Sequence, residues 1–244
     1  MHSRNPLDVS GIEERPASRR PPKNREPALR LESRFHRPRV DRPGPPDALL
    51  ASPEVQNVTL ADRSNKPVVL ETERLLLRQW RDEDRGILAE LQAEPELMQY
   101  IGDGHPFSSN ESRKWLQACW LGLLLQPFGT WAAEHKAAMG LVGWAALTRA
   151  NWIPQFQEDM EVGWFLGQRW WGLGLATEAG RACLGHGFEV LGLPRVLGIR
   201  RTANLRSGQV MDRLGMDLCL ELPHPEFGYP MSVHEITRDE WDRM

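Results

Sequence analysis

In this chain of 244 residues the chemistry-bearing part is the run from Glu161 to Ala179. Glu161 to Leu166 reads as a strand, and Gly167 ends it. A loop carrying Gly172 and Gly174 follows. Leu175, Ala179, Ala182, Cys183 and Val190 can then share the buried face of a helix. Because glycines have no side chain, the main-chain N–H groups around Gly172 and Gly174 can approach an anion closely. The helix start adds its own unpaired N–H groups and the positive end of its dipole. The run therefore reads as a cradle for a pyrophosphate. It is not a P-loop, since no Gly-Lys-Ser/Thr follows, and it lacks the third glycine of a dinucleotide fingerprint. For the two glycines alone, a strand-to-helix turn that holds no ligand is an equal reading.

The elements around this run must position it. Val68 to Trp80 reads as one strand, on the alternation of Leu75 and Leu77 with Arg74, Leu76 and Arg78. A helix is expected from Asp82 or Asp84, with Ile87, Leu88 and Leu91 on one face. Gly102 to Pro106 marks a loop. Ser108 or Ser109 is placed to cap a helix in which Trp115, Leu116, Cys119, Trp120 and Leu123 recur at helical spacing. Thr130–Glu134 and Met139–Thr148 read as strands joined by a turn at His135-Lys136, and residues 150–157 as a loop. Gly185 and Gly187 flank His186 within the helix after the cradle. Each costs about 1 kcal/mol relative to Ala in a helix interior, so that helix is expected to be irregular there.

Composition removes several classes of function. Hydrophobic residues make up 41% and charged residues 26%, an ordinary globular mix. No window approaches the roughly 20 apolar residues of a membrane helix. The net charge of -3 gives no electrostatic case for nucleic acid. Cys119, Cys183 and Cys219 are widely spaced with no CxxC pair, which argues against a disulfide framework or thiolate zinc and for a reducing, cytoplasmic setting. His105, His135, His224 and His234 show no ligand spacing, so no metal is expected. Residues 1–66 hold ten of the 19 prolines and none of the ten tryptophans, with a net charge of +4. They are expected to form a disordered Pro/Arg-rich tail, and residues 67–244 the folded domain.

Arg169-Trp170-Trp171-Gly172-Leu173-Gly174 resembles the Q/R-x-x-G-x-G/A motif of the GNAT N-acetyltransferase family, and the surroundings are similar to its RimJ/RimL-like branch. Glu71 to Arg78 resembles that branch's opening strand, and Tyr100-Ile101-Gly102 with Trp115-Leu116 its second helical region. Asn204-Leu205-Arg206-Ser207 and Asp212 to Met216 resemble its N-x-x-S and following element, and Thr237 to Trp241 its close. The resemblance spans roughly residues 68 to 241. It implies an α/β (α+β) fold, with a mixed, mostly antiparallel sheet of six to seven strands and about four helices. Two central strands would splay apart to admit acetyl-CoA as co-substrate. The pyrophosphate would meet main-chain N–H groups of Arg169, Trp170, Trp171, Gly172, Leu173 and Gly174, and of Leu175. The pantetheine arm would pair along Trp164, Phe165 and Leu166, and Asn204 would touch the arm near the thioester.

Amine acetylation sets its own requirements. An acceptor amine arrives mostly protonated and needs a base, the oxyanion formed on attack needs N–H donors, and the departing thiolate needs an acid. Glu161, aligned with the family's E-x-G-[WYF] glutamate, is the candidate base; an exposed strand-edge acid is the competing reading. Ser207 is the candidate acid, against a plain helix-start residue, and Asn204 would also serve as a helix cap. Trp80, the Tyr100–Phe107 loop and Asn151–Gln157 are left to form the acceptor pocket. The acceptor is a protein N-terminus or a small-molecule amine, and the protein a monomer or homodimer. The alternative is a non-catalytic acyl-CoA-binding or interaction domain of the same fold.

Overall fold

Residues 68–244 are the part of the chain that the structure, a computed structural model, describes, and the tail expected over residues 1–66 lies outside them. The expected strand from Val68 to Trp80 is instead a hairpin of β1 (Leu70–Glu71) and β2 (Leu75–Arg78). Thr72 causes the break. Its N–H donates to the Leu75 carbonyl at 2.9 Å and its hydroxyl oxygen accepts from the Leu75 N–H at 2.8 Å, which closes a tight turn.

The helix α1 (Asp84–Ala93) starts at the second of the two expected aspartates. Asp84 is buried because Arg78 of β2 holds both its oxygens, at 2.7 and 2.9 Å. Pro95 restarts the chain as the single turn α2 (Pro95–Met98). Ser108 caps α3 (Ser109–Leu125) through a reciprocal pair with Glu111. The antiparallel strands β3 (Gly129–His135) and β4 (Gly140–Arg149) follow as expected. Next come β5 (Met160–Leu166), α4 (Leu175–Gly185), β6 (Arg195–Arg201), α5 (Leu205–Arg213), β7 (Asp217–Pro223), β8 (Pro230–Thr237) and the short α6 (Arg238–Trp241).

The strands form one sheet in the order β1-β2-β3-β4-β5-β6-β8-β7, and only the β5–β6 pair is parallel. Eight strands and six α-helices among the described residues exceed the expected six to seven and four. The hairpin at Thr72 adds a strand, and the single turns α2 and α6 add helices. After α4 the α-helical pattern gives way at His186 to a π-helical turn (His186–Val190), closed by the Leu191 N–H on the His186 carbonyl at 3.1 Å. This is the irregularity that the flanking Gly185 and Gly187 foreshadow. The core closes on fully buried Leu75, Leu77, Trp131, Leu147, Leu175, Leu184 and Phe188. Trp164 of β5 lies under α4, and Phe165 packs on the opposite face with Leu97 and Met98 of α2.

Gly143 fixes the fit of β4 to β5. It sits at φ +149°, and a Cβ there would lie 1.9 Å from the Phe165 carbonyl oxygen. A main-chain atom cannot yield as a flexible side chain can. Gly143→Ala should therefore cost on the order of 3 kcal/mol, read as a lowered urea midpoint. An unchanged midpoint would contradict this packing.

Candidate active site

The strands β5 and β6 are registered only at Glu161↔Leu197 and Val162↔Gly198. Beyond these pairs they part, and the sheet forks. The Phe165 carbonyl points toward Gly143 of β4, and the Gly167 N–H donates to Val142 of the same strand at 2.9 Å. Peptide groups alternate along a strand, so those of Trp164 and Leu166 turn to the open edge of the fork. Phe165, expected to pair with the cofactor arm, has its carbonyl turned away from that edge. The Leu166 carbonyl already accepts from the Trp171 indole at 2.7 Å.

The glycine turn stands at the mouth of this fork. Its start is shorter than the sequence implies. Trp170 and Trp171 spend their N–H groups inside a 3-10 turn, on the carbonyls of Gly167 and Gln168 at 2.9 and 3.0 Å. Gly172 and Gly174 then take left-handed φ values of +75° and +78°, which suit glycine. The first hydrogen bond of α4 runs from Glu178 N–H to the Gly174 carbonyl at 3.0 Å. The main-chain N–H groups from Gly172 to Thr177 thus have no protein partner among the described residues. Nothing lies within 4 Å of where a Gly172 Cβ would sit, and the buried Thr177 hydroxyl beside the turn is also without a partner. Open space, unpaired N–H groups and a helix start suit a diphosphate.

Arg74 and Glu178 brace the turn from behind. The Arg74 guanidinium meets the Glu178 carboxylate at 2.6 Å and donates to the Leu173 carbonyl at 2.8 Å. Burial works against the Glu178 charge, but hydrogen bonds from Thr72 and Arg74 outweigh it and hold the carboxyl below its usual range. Glu178 is therefore committed to structure. Trp170 stacks on His135, with centroids 5.1 Å apart.

The far side of the mouth is the start of α5. The Asn204 side-chain oxygen accepts from the Ser207 N–H at 3.2 Å, so Asn204 caps the helix. The Arg206 guanidinium lies 4.3 Å from the Trp171 ring centroid, which brings the first turn of α5 against the glycine turn. Ser207 lies in the same first turn of α5. Glu161 is at the crotch of the fork, half-buried, with Oε1 accepting from the Trp152 indole at 2.9 Å. Burial pushes its carboxyl up to about 7, against the opposing pull of that hydrogen bond. An acid that titrates near neutrality, in a cleft, is poised to exchange protons at working pH.

Beside Glu161, Trp152 stacks on His224, and His224 packs on Phe227 and Tyr229. The Tyr229 hydroxyl and the Arg201 guanidinium both donate to the Gly102 carbonyl, at 3.0 and 2.8 Å. The Tyr100–Phe107 loop and the 150–157 loop, both assigned to an acceptor pocket, therefore meet the 224–229 turn here. Trp80 does not join them; it is buried and donates to the Thr130 carbonyl at 2.7 Å. Sequence reasoning gave Arg74, Gly143 and Arg206 no role at the site and reached Trp152 only as part of the Asn151–Gln157 segment. Among the described residues no cluster of His, Cys, Asp and Glu could hold a metal ion, and no helix is long and apolar enough to cross a membrane.

Comparison with known proteins fits this arrangement. The family model described as "Acetyltransferase (GNAT) domain" matches residues 74–217. The chain is 32% identical over 189 residues to the FsC-acetyl coenzyme A-N(2)-transacetylase of Aspergillus fumigatus, covering 72% of this chain and 78% of that protein. A GNAT-family acetyltransferase from Bacillus anthracis has a similar structure, with TM-score 0.60, 21% identity, and coverage of 70% of this chain and 99% of that one. So has RimL, a ribosomal alpha-N-protein acetyltransferase in complex with coenzyme A, with TM-score 0.58, 17% identity, and coverage of 71% and 99%.

Proposed function

The chain belongs to the GNAT family of acetyltransferases, and we propose that it moves the acetyl group of acetyl-CoA onto a primary α-amine, of a peptide or of a small amino-acid derivative, with Glu161 as the base. The observation that carries this reading is the fork: a carboxylate at its crotch, a strand edge left open at Trp164 and at the Leu166 N–H, and the open glycine turn at its mouth.

Acetyl-CoA, when bound, supplies an acetyl group activated as a thioester. The N–H groups from Gly172 to Thr177 would hold its diphosphate, and the edge left open at Trp164 and at the Leu166 N–H would hold its arm. Glu161 takes the proton that the acceptor amine must lose, directly or through a water. Ser207 sits in the first turn of α5, where the helix dipole favours negative charge, and gives a proton to the departing sulfur. Asn204 orients that turn as its cap.

The ionisation of Glu161 favours an α-amine. At pH 7 roughly a tenth of an α-amine of pKa about 7.7 to 8.0 is free, against less than about one in a thousand of a lysine-type amine of pKa about 10.4. An α-amine therefore asks less of the base, and Glu161, pushed up to about 7 by burial, is ionised enough near that pH to take its proton. The A. fumigatus relative is named for transfer to an N(2) nitrogen, which agrees. The elements from Glu71 to Arg78 and from Asn204 to Met216 support a place in the RimJ/RimL-like branch. Cys119, Cys183 and Cys219 are all free thiols, in keeping with a reducing compartment such as the cytoplasm.

Thiol release from acetyl-CoA tests this reading, with peptides bearing free N-termini, α-amino acid amides, alkylamines and polyamines as acceptors. Turnover should favour the α-amines and vanish with N-blocked peptides. Faster turnover with polyamines would overturn the acceptor class, and none with any amine would overturn the transfer reaction.

A further inference from the structure

We infer that Trp152 is a positioning residue for Glu161: its indole N–H holds one carboxylate oxygen and leaves the other free to take the acceptor's proton. The inference rests on Glu161 being the base. Trp152 lies in the loop between β4 and β5, nine residues before Glu161 in sequence, and the 2.9 Å bond is the one hydrogen bond shown for the Glu161 side chain among the described residues. A donor to the ionised form also steadies that form, against the burial that disfavours it.

The indole is itself fixed. His224 stacks on it with centroids 5.1 Å apart and an interplanar angle of 26°. The His224 Nδ1 faces the N–H groups of Glu226 and Phe227 at 3.1 and 3.2 Å, so Nδ1 is an unprotonated acceptor. Tyr229 packs on His224 with ring centroids 4.6 Å apart and is pinned through its hydroxyl to Gly102. Two loops and a turn thus converge to aim one N–H at one oxygen, a chain of contacts that packing alone does not need.

Charged groups on the elements next to Glu161 have partners of their own: Arg201 of β6 lies over the Tyr229 ring and Arg149 of β4 over the Phe128 ring. Asp159 is engaged by Arg195, which also reaches Glu235. Burial and the Trp152 hydrogen bond are the influences that shift the Glu161 carboxyl.

The test compares pH profiles of kcat/KM for the full chain, Trp152→Phe, a site-specific benzothienylalanine at position 152, and Glu161→Gln. Benzothienylalanine keeps the bicyclic shape and lacks the N–H, so it reads the donor even where Trp152→Phe fails to fold. Loss of the donor should move the acid limb upward by about one pH unit, so that kcat/KM falls about tenfold at pH 6 and is nearly unchanged at pH 9. A limb that stays in place, or an equal loss at every pH, would overturn the positioning role. In that event a limb moved upward by Glu161→Gln would leave the base assignment standing. A limb left unshifted near pH 7 by Glu161→Gln would remove the base assignment and this inference with it.

Discussion

Glu161→Gln should lower kcat by about a hundredfold or more near neutral pH, the scale set by loss of a positioned general base. The change keeps the side chain's shape and an oxygen for the Trp152 indole, so the fork should survive. The deficit should be largest just above pH 7, where Glu161 is ionised and the acceptor is still mostly protonated, and should shrink below that as the parent's own Glu161 protonates and at high pH as the acceptor deprotonates by itself. The acid limb set by Glu161 near pH 7 should give way to one set by the acceptor's own ionisation, at about 7.7 to 8.0 for an α-amine. Affinity for coenzyme A should hardly move, since the diphosphate would lie at the other end of β5. Stability gives an independent reading. The folded-state pKa of Glu161 is raised, so the fold favours its protonated form. The stability linked to that proton is fully present below the unfolded value of about 4.5 and is lost as pH rises through about 7. The loss is on the order of 3 kcal/mol across that window. A neutral amide does not suffer it, so urea midpoints should show Glu161→Gln gaining on the parent from pH 5 to pH 8. A parallel pH dependence of both proteins, with an unchanged rate profile, would take Glu161 out of the site.

The glycine turn was legible in the sequence because it depends on main-chain atoms: Gly172, Gly174 and a helix start are local features that spacing reveals. The strands from Gly129 to Leu166 were legible for the same reason, as alternation and a polar turn act within a few residues. The motif also gave Glu161 its place at the start of β5. What spacing cannot show is which long-range partner finishes each local feature. Thr72 looks like any strand residue until its hydroxyl is seen closing a turn on Leu75. Arg74 reads as a surface charge, yet it joins the Leu173 carbonyl to Glu178 across about a hundred positions of chain. Gly143 carries no motif, and its need for glycine arises only from the Phe165 carbonyl on the neighbouring strand. Trp152 falls in a segment that reads as a loop and part of an acceptor pocket, and its partner Glu161 becomes visible only when β4 and β5 pair. The expected N–H donors at Trp170 and Trp171 failed for a related reason. A 3-10 turn consumes them locally, and no residue type in that stretch demands one.

Gly172→Glu should weaken coenzyme A binding by about a hundredfold. The Cβ at this position would project into open space at the turn, so the new side chain displaces no protein atom. It would reach into the volume that the unpaired N–H groups from Gly172 to Thr177 enclose. A carboxylate about 4 Å from a phosphate in partly solvated surroundings costs about 4 kcal/mol before screening, and salt removes part of that. The backbone at φ +75° adds a separate cost, because a side chain there is strained whatever its charge. Gly172→Gln carries the same strain and nearly the same bulk without the charge. The difference between the two variants therefore isolates the electrostatic part. Titration calorimetry with coenzyme A should rank the parent tightest, Gly172→Gln intermediate and Gly172→Glu weakest, and the gap between the two variants should narrow as salt is raised. Dephosphorylated pantetheine should not separate the variants, since it has no diphosphate to repel. Equal affinities for coenzyme A in both variants would mean that the anion lies elsewhere, and the assignment of the turn, with the placement of the thioester beside Glu161 that depends on it, would fall.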